Sequence, residues 1–396
     1  MPGQEGNELT VARERIYLDN AATSWPKPAS VVEAVQHHLT ELGACAGRSG
    51  YREANEVERL IGDTRKQIAY LFGTHSQEHV IFGYNGTDML NLGLHGYLKR
   101  GDHVITTTVE HNSILRPLST MQKTLEIELT HVAAGEDGRV SVESIENAIQ
   151  GNTRLIAITH VSNVTGAIQP IEAIYQVAKN RGVRMLVDAA QSAGHLDLNL
   201  GETPIDMVAF SGHKGLLGPL GTGAMILQPE IAELLQCQRQ GGTGTKSESD
   251  EQPNELPAKF ESGNANVTGI LGLRAGVEYI REQTVTALHR HTMQNTSRLI
   301  EGLQSMPKVR ILGPQSLEHR TGVVSIQVEA FDPHELATAL DSAFGVQCRA
   351  GLHCAPLMHQ HLGTLGSGGT LRFSLSIFTT ADQIDRTLEA MQAIVR

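Results

Sequence analysis

Short apolar runs alternate with amphipathic stretches from Pro28 to Leu227. Short apolar runs bounded by turn residues are typical of buried strands, and a 3.6-residue period is typical of helices. Strands are predicted at His79–Phe82, His103–Thr107, Leu125–Leu129, Leu155–Val161, Arg184–Asp188, Met207–Ser211 and Gly223–Leu227. Helices are predicted at Pro28–Leu42, Val57–Phe72, Thr87–Leu98, Ser141–Gln150 and Ile171–Arg181. Strands that alternate with helices form a mostly parallel sheet covered on both faces, so the pattern predicts an α/β fold.

The pattern changes after a polar segment, Gly241–Pro257, which is rich in acidic and helix-breaking residues and predicts an exposed loop. Beyond it we predict a long helix from Thr268, strands at Val323–Val328 and Thr370–Ser376, a helix after Asp332-Pro333 and a terminal helix from Ala381. We therefore expect an N-terminal arm (residues 1–16), a large domain (residues 17–267) and a smaller α+β domain (residues 268–396) against which the arm packs.

The composition is that of a globular protein. Of 396 residues, 40% are hydrophobic and 19% are charged, which excludes a disordered chain. The net charge of −11 argues against binding to nucleic acid or to an anionic membrane, because both attract basic surfaces. No apolar segment has the length of a signal peptide core or a membrane span, so we expect a cytoplasmic protein. The four cysteines are too few for a disulfide framework and are interpreted as free thiols.

Two candidate catalytic residues follow predicted strands. Asp188 ends one strand and Lys214 follows another, at the carboxyl ends where ligands bind in open α/β sheets. A partly desolvated lysine can form a Schiff base with an aldehyde cofactor, and a carboxylate can keep a pyridine nitrogen protonated. These are the two groups that pyridoxal phosphate requires. Spacing alone leaves open a helix cap for Asp188 and a solvated surface position for Lys214.

The glycine-rich segment that follows Lys214, Gly215–Gly223, does not fit a nucleotide-binding loop. A Walker A loop has its lysine after the glycines, and a dinucleotide loop reads GxGxxG. Here the lysine comes first, and the glycines from Gly218 onward read GxxGxG. Nucleotide binding is therefore disfavoured.

Two further segments begin just beyond predicted strands. Gly86 and Thr87 begin a helix, where backbone N–H groups and a hydroxyl can hold a phosphate, and Ser211 and His213 can supply more donors. An ordinary helix cap is the alternative for this segment. His111 can stack on a cofactor ring and shuttle protons, and its alternative is a structural histidine.

The segment Arg349–Pro356 carries a candidate nucleophile, Cys354. Glycine and proline flank the thiol, which predicts the accessible loop position that thiolate reactivity needs. The nearby His359 and His361 suggest a metal site, but no second pair of ligands matches them, so we predict none. Arg372 lies inside a strand-like run, where its planar guanidinium suits a substrate carboxylate and a surface ion pair is the alternative.

Taken together and in this order, these segments resemble the class V aminotransferase family, and within it the cysteine desulfurases of the selenocysteine lyase-like group. The similarity extends from the segment YLDNAAT at residues 17–23 to Thr379-Thr380, and its most specific parts are Ser211–Lys214 and Arg349–Cys354. The resemblance implies a fold-type I architecture with a mostly parallel mixed sheet, pyridoxal 5'-phosphate and a homodimer. It also implies conversion of L-cysteine to L-alanine, with the sulfur held as a persulfide for an acceptor protein or thiol.

The resemblance also implies a role for each matching residue. Lys214 would bind the cofactor covalently and move the substrate's α-proton, and Cys354 would attack the substrate's sulfur. Asp188 would pair with the pyridine nitrogen, and His111 would stack on the ring. The other implied positions are Gln191 at the ring hydroxyl, Gly86, Thr87, Ser211 and His213 at the phosphate, Asn163 near the ring hydroxyl and substrate, and Arg372 and Arg349 at the substrate.

Two segments depart from the family pattern. Family members usually read Gly-Thr in the segment that reaches the neighbouring subunit's phosphate, whereas this chain reads FESGN at residues 260–264. Asn264 can still donate through its amide, so a shared site stays the expectation. The segment Gly47–Tyr51 also differs, and substrate choice can differ with it. L-selenocysteine is therefore a second candidate substrate, and a selenocysteine lyase, a cysteine/cystine C–S lyase and a non-enzymatic sulfur-relay protein are the alternative functions.

Overall fold

The backbone forms β-sheets whose faces are covered by helices. A computed structural model describes residues 15–47, 49–74, 76–246 and 248–395. Most of the arm expected at residues 1–16 therefore lies outside the described residues. The strands are β1 (Ile16–Tyr17), β2 (Val80–Gly83), β3 (His103–Thr107), β4 (Glu128–Val132), β5 (Thr153–Thr159), β6 (Arg184–Asp188), β7 (Met207–Ser211), β8 (Gly223–Leu227), β9 (Val309–Ile311), β10 (Val323–Val328), β11 (Val346–Gln347), β12 (Arg349–Gly351) and β13 (Thr370–Ser374).

The helices follow the amphipathic stretches. They are α1 (Ala29–His37), α2 (Arg52–Leu71), α3 (Gly86–Tyr97), α4 (Asn112–Thr124), α5 (Val142–Asn147), α6 (Ile171–Asn180), α7 (Pro229–Leu234), α8 (Val267–Gln283), α9 (Val285–Gln304), α10 (Pro333–Phe344), α11 (Pro356–His361) and α12 (Ala381–Val395). A π-helical turn, His38–Leu42, extends α1 to the predicted end of that helix. Within the described ranges, no helix is long and apolar enough to cross a membrane.

The large sheet has seven strands in the order β2-β8-β7-β6-β5-β3-β4. Strands β4, β3, β5, β6 and β7 run parallel to one another, whereas β8 and β2 are antiparallel to their neighbours. The predicted mostly parallel mixed sheet is therefore confirmed, and β3, β6, β7 and β8 have the predicted bounds.

Both faces of this sheet are buried, which explains why its strands read as continuous apolar runs. Ile156, Val187 and Val208 face one apolar core, which also contains residues of α2, α6 and α8. Their neighbours Leu155 and Leu186 face the second core, which contains residues of α3, α4 and α7. Because β3, β5, β6 and β7 are parallel, the residues that follow them all emerge at one edge of the sheet.

The C-terminal part of the chain forms a second layer. Strands β12-β13-β10-β9 make an antiparallel sheet. A third apolar core beneath it includes residues of α9, α10 and α12 and, from the N-terminal segment, Ile16 and Leu18. Strand β1 pairs with β11, so the chain's first described residues join this C-terminal layer. The domain division at residue 267 stays a prediction.

Several elements differ from the sequence prediction, and α2, for example, begins at Arg52 rather than at Val57. Helix α4 was not predicted, because Pro117 lies inside it. Strand β4 begins three residues later than expected, since Leu125 ends α4 by donating its N–H to the Met121 carbonyl at 2.8 Å. The long helix expected from Thr268 is two helices, α8 and α9. They are separated at Thr284, which has a φ of 65° and whose side chain caps α9.

Candidate active site

Lys214 lies in a tight turn after β7. The Gly218 N–H donates to the Gly212 carbonyl at 2.8 Å, and the Leu217 N–H donates to the Lys214 carbonyl at 2.9 Å. Burial lowers the pKa of Lys214 to about 8, and the nearby Asp188 carboxylate opposes this shift. The amine therefore loses its proton far more readily than a solvated lysine, as a nucleophile or base requires.

Asp188 is the last residue of β6 and is only 4% exposed. Its carboxylate accepts a hydrogen bond from the Ala190 N–H at 2.9 Å. Burial raises its pKa, while that hydrogen bond and the nearby Lys214 act in the opposite direction. The residues after Asp188 form turns, so it does not cap a helix. A buried carboxylate thus faces the lysine across the edge of the sheet.

Asp188 and Lys214 line one small cavity at this edge, and most of the predicted cofactor residues line it with them. The predicted residues around the cavity are Gly86, Thr87, His111, Asn163, Asp188, Gln191, Ser211 and Lys214. They come from the ends of four parallel strands and from the start of α3. The fold therefore brings together residues that are up to about 130 positions apart in sequence.

The start of α3 forms one end of the cavity. The Asn85 side chain caps the helix by accepting from the Asp88 N–H at 2.9 Å. The Gly86 N–H donates to Ser211 Oγ at 3.1 Å, and Thr87 Oγ1 lies 2.7 Å from Ser113 Oγ. A Cβ atom on Gly86 would come within 2.9 Å of Ser211 Oγ, so glycine allows this close approach. Hydroxyls and N–H groups thus converge at the positive end of a helix, as an anion site requires.

His111 caps the start of α4. Its Nδ1 accepts from the Ser113 N–H at 3.1 Å and lies 2.9 Å from Ser113 Oγ. Burial, followed by the positive charges of Lys214 and Arg349, lowers the pKa of His111 to about 4. The imidazole is therefore neutral near pH 7 and carries its proton on Nε2.

Cys354 lies in the turn between β12 and α11. His353 and Cys354 both have left-handed backbones, with φ values of 48° and 59°, which cost energy in residues other than glycine. The Asn112 N–H donates to the Cys354 carbonyl at 2.7 Å, and the Asn163 side chain donates to the His353 carbonyl. Contacts from residues next to and within the cavity therefore hold the strained turn in place.

The Cys354 thiol is half-buried. Arg349 Nη2 lies 3.8 Å from its Sγ atom. This contact is a hydrogen bond from the guanidinium to the sulfur. The structure therefore places the predicted nucleophile beside a cation, in a turn that Asn163 of the cavity contacts.

Arg372 lies within β13 and is 1% exposed, so the alternative of a surface ion pair is wrong. Its Nη1 donates to the Asn163 carbonyl at 3.0 Å, and its Nη2 donates to Asp19 Oδ1 at 2.7 Å. Its Nε is buried without a hydrogen-bond partner among the described residues. Since a guanidinium has five N–H donors, donors remain for a substrate carboxylate.

Two predicted cofactor residues lie outside this cavity. His213 is half-buried, and its Nδ1 has no hydrogen-bond partner among the residues that the structure describes. Asn264 is exposed and lines a different cavity, together with Arg239 and Glu261. The roles predicted for both residues stay predictions. No group of His, Cys, Asp or Glu in the described part of the chain could hold a metal ion.

Sequence reasoning missed several residues that shape the site. Glu110 is fully buried and accepts from Thr107 Oγ1 at 2.6 Å and from the Thr159 N–H at 2.8 Å, which ties β3 to β5. Ser113 contacts both His111 and Thr87. The sequence offered one signal for these residues: a run of polar side chains directly after a predicted strand.

Comparison with known proteins identifies close similarity to one family. The family model described as Aminotransferase class-V matches residues 16–387. A probable cysteine desulfurase of Methanothermobacter thermautotrophicus is 32% identical over 391 residues, covering 98% of this chain and 96% of the relative. One of Pyrococcus abyssi is 31% identical over 404 residues, covering 100% of this chain and 98% of the relative.

Solved structures give the same result. The apo cysteine desulfurase from Thermococcus onnurineus superposes with a TM-score of 0.90 and 32% identity, over 96% of this chain and 94% of that one. The cysteine desulfurase CsdA from Escherichia coli has a TM-score of 0.87 and 25% identity, again over 96% and 94%. The similarity therefore covers both sheets and all the residues of the candidate site.

Proposed function

The chain belongs to the class V aminotransferase family, and we propose that it is a cysteine desulfurase that uses pyridoxal 5'-phosphate. Its fold is the fold-type I architecture. The proposed reaction converts L-cysteine to L-alanine and leaves the sulfur on Cys354. The observation that carries the proposal is that Lys214 and Asp188 line one cavity, while Asn163 of the same cavity contacts Arg372 and the turn that carries Cys354.

The residues around the cavity fit the cofactor. A lysine with a lowered pKa and a buried carboxylate line the same cavity, and its other end is the donor-rich start of α3. When bound, pyridoxal phosphate supplies a ring that accepts electrons from the substrate's α-carbon. Asp188 would hold the ring nitrogen, His111 the ring face and Gln191 the ring hydroxyl. Gly86, Thr87, Ser211 and His213 would hold the phosphate.

Lys214 is suited to move the substrate's α-proton. With a pKa of about 8, the side chain exchanges between its ammonium and amine forms near physiological pH. A group with such a pKa can both take up and return a proton. The tight turn that carries Lys214 limits the directions in which the amine can point.

Cys354 would accept the sulfur. Its thiolate attacks the sulfur of the substrate, an S–S bond forms, and the bond between that sulfur and the substrate's β-carbon breaks. The electron pair of the broken bond stays with the carbon skeleton, which takes up protons and leaves as L-alanine. The net change is substrate thiol plus enzyme thiol to alanine plus enzyme persulfide. Arg349 holds the sulfur of Cys354 through the hydrogen bond from its Nη2 atom.

Arg372 would bind the carboxylate of L-cysteine through its remaining N–H donors. Asn163 links this residue to the turn of Cys354, because its carbonyl accepts from Arg372 and its amide donates to the His353 carbonyl. Carboxylate recognition and positioning of the nucleophile therefore depend on the same asparagine.

We also propose that the protein is a homodimer in which Asn264 reaches the phosphate site of the partner subunit. The exposed amide of Asn264 supports this arrangement, since it lies outside the Lys214 cavity of its own chain. An Asn264→Ala variant should then bind the cofactor about tenfold more weakly while it stays dimeric, as one lost hydrogen bond to a charged group predicts. Wild-type affinity in this variant would contradict the shared site.

The proposed function is tested by the absorption spectrum of the purified protein and by the product that it forms from L-cysteine. The purified protein should show a yellow absorption band that borohydride abolishes, with the label on Lys214. A Cys354→Ala variant should keep the band and lose alanine formation from L-cysteine by at least about a hundredfold. A Cys348→Ala variant is the matched control, because burial raises the pKa of that thiol and makes it inert. A colourless wild-type protein, or a Cys354→Ala variant with full activity, would overturn the proposal.

The same assay with L-selenocysteine measures substrate preference. Mass spectrometry during turnover should find the added sulfur on Cys354. Turnover of L-selenocysteine without any modified thiol would instead indicate a lyase that does not use Cys354. Addition of a thiol should release the bound sulfur and restore the unmodified mass.

A further inference from the structure

A second lysine, Lys27, lies beside the turn that carries Lys214. It belongs to the segment Thr23–Lys27, which is part of the connection between β1 and α1. Its Nζ atom donates to the His213 carbonyl at 2.9 Å and lies 2.7 Å from Ser24 Oγ. That carbonyl is part of the peptide bond that leads directly into Lys214.

The His213 carbonyl has an unusual number of donors. Besides Lys27, it accepts from Thr23 Oγ1, Ser24 Oγ and the Ser24 N–H, each at 3.1 Å. A carbonyl oxygen has two lone pairs, so four donors exceed its ordinary capacity. One of them is charged, and such hydrogen bonds are the stronger kind.

The carbonyls on either side of His213 are also fixed. The Gly212 carbonyl accepts from the Gly218 N–H, and the Lys214 carbonyl accepts from the Leu217 N–H. Three successive carbonyls around Lys214 are therefore hydrogen-bonded. The middle one is held from outside the turn, by the segment Thr23–Lys27.

Lys27 is a charged residue without an ion pair in the part of the chain that the structure describes. No carboxylate among the described residues lies within ion-pair distance of its Nζ atom. Burial without such a partner lowers the pKa of Lys27 to about 8. Removing a charge from water costs free energy. The contacts that offset this cost are those of Nζ with the Ser24 hydroxyl and the His213 carbonyl.

We propose that Lys27 is a positioning residue for Lys214. Its ammonium holds the His213–Lys214 peptide so that the Lys214 amine points into the cavity that it shares with Asp188. This inference rests on the proposed function, because it assigns Lys27 to the residue that would carry the cofactor. Lys27 itself does not line that cavity.

The test compares full-length Lys27→Met with the wild-type protein. Each is stripped of cofactor and mixed with pyridoxal phosphate, and the rate of the yellow band's appearance is measured. We expect that rate and kcat to fall about tenfold, since one charged hydrogen bond is lost. The KM for L-cysteine should stay within about twofold, because Arg372 and Asn163 are untouched. Lys27→Arg, which keeps a charged donor, should recover both rates to within about threefold.

Two further variants separate positioning from stability. Thr23→Val removes an uncharged donor to the same carbonyl and should slow cofactor uptake by about twofold to threefold. Lys259→Met is the matched control, because Lys259 also has a pKa lowered by burial and donates to a backbone carbonyl, that of Ala232, at 2.8 Å. It should lower the melting temperature without changing cofactor uptake.

Wild-type uptake and kcat in Lys27→Met would overturn the inference, as would equal losses in Lys259→Met. If Lys27→Met does not fold, then Thr23→Val and Lys27→Arg decide the question by the same rates. A wild-type protein that takes up no cofactor would overturn the proposed function itself. The two failures are therefore distinguishable.

Discussion

At the scale of single residues, the site depends on charges that are buried together. Arg372 is almost fully buried, and its one carboxylate contact within the described residues is Asp19. A buried charge that loses its partner is strongly destabilising, whereas exposed pairs contribute little. Asp19 therefore stabilises the arginine that would receive the substrate.

This difference can be measured with two Arg–Asp pairs of the same protein. Asp19→Ala should lower the free energy of unfolding by about 1–3 kcal/mol, because it leaves buried donors of Arg372 without a partner; the loss is smaller than for a fully buried pair because the Asp19 side chain is 22% exposed. Asp385→Ala removes the partner of Arg298 on the surface and should cost less than about 1 kcal/mol. Urea unfolding of both variants decides the point, and equal losses would contradict a special role for Asp19.

The sequence pointed to the candidate reactive residues, but not to the residues that contact and position them. Lys214 and Asp188 were predicted from their positions at the carboxyl ends of strands, and Cys354 from its place in a loop between glycine and proline. Lys27 and Asp19 act through contacts with residues nearly 190 and more than 350 positions away. No local pattern encodes such contacts, so a single sequence could not reveal them.

At the scale of elements, the capped first turns of helices stabilise the fold, and the first turn of α3 also forms the candidate phosphate site. Asn85 caps α3 at that site, and Asp332 caps α10 by accepting from the His334 N–H at 2.8 Å. Caps of this kind each contribute about 1 kcal/mol to stability. The two helices therefore separate the structural effect of a cap from its effect on ligand binding.

Replacing either cap by alanine should lower the free energy of unfolding by about 1 kcal/mol. Asn85→Ala should also weaken cofactor binding several-fold, because the first turn of α3 then moves relative to Ser211. Asp332→Ala should leave the cofactor's dissociation constant unchanged. Fluorescence titration with pyridoxal phosphate would measure both, and equal binding by the two variants would count against a phosphate site at α3.

The central strands were predictable because burial on both faces makes them continuous apolar runs. The amphipathic pattern of α1 was less informative. Val31 is buried, but Val32 and Leu39 are 58% and 67% exposed in the single chain. The periodicity predicts a helix, but it does not identify the surface that packs against each side of that helix.

At the scale of the whole molecule, the number of histidines has a physical consequence. Burial lowers the pKa of His111, His160, His195, His213 and His359 to about 4 and that of His353 to about 2. In the unfolded chain these groups take up protons near pH 6.5. Between about pH 6.5 and 4, the unfolded state therefore binds more protons than the folded state.

Stability should fall as the pH is lowered through this range, with a slope of about 1.4 kcal/mol per pH unit for each such histidine. Three buried carboxyl groups act in the opposite direction, because the pKa values of Glu110, Asp188 and Asp206 are raised and their folded forms take up protons first. The histidines outnumber them, so the net effect is a loss of stability. Urea unfolding of the holoenzyme at pH 7.5, 6.5 and 5.5 would measure it.

A pair of variants shows whether buried histidines cause the slope. His160 is 3% exposed, and its Nδ1 has no hydrogen-bond partner in the described part of the chain. His160→Gln should reduce the slope of the unfolding free energy against pH by up to about 1.4 kcal/mol per pH unit. This expectation does not depend on how the substitution changes stability at pH 7.5. His359→Gln, at a second fully buried histidine whose pKa burial lowers to about 4, should reduce the slope by the same amount. A stability that is constant or rises from pH 7.5 to 5.5 would mean that the carboxyl groups dominate, and that the buried histidines are not the acid-sensitive element of this fold.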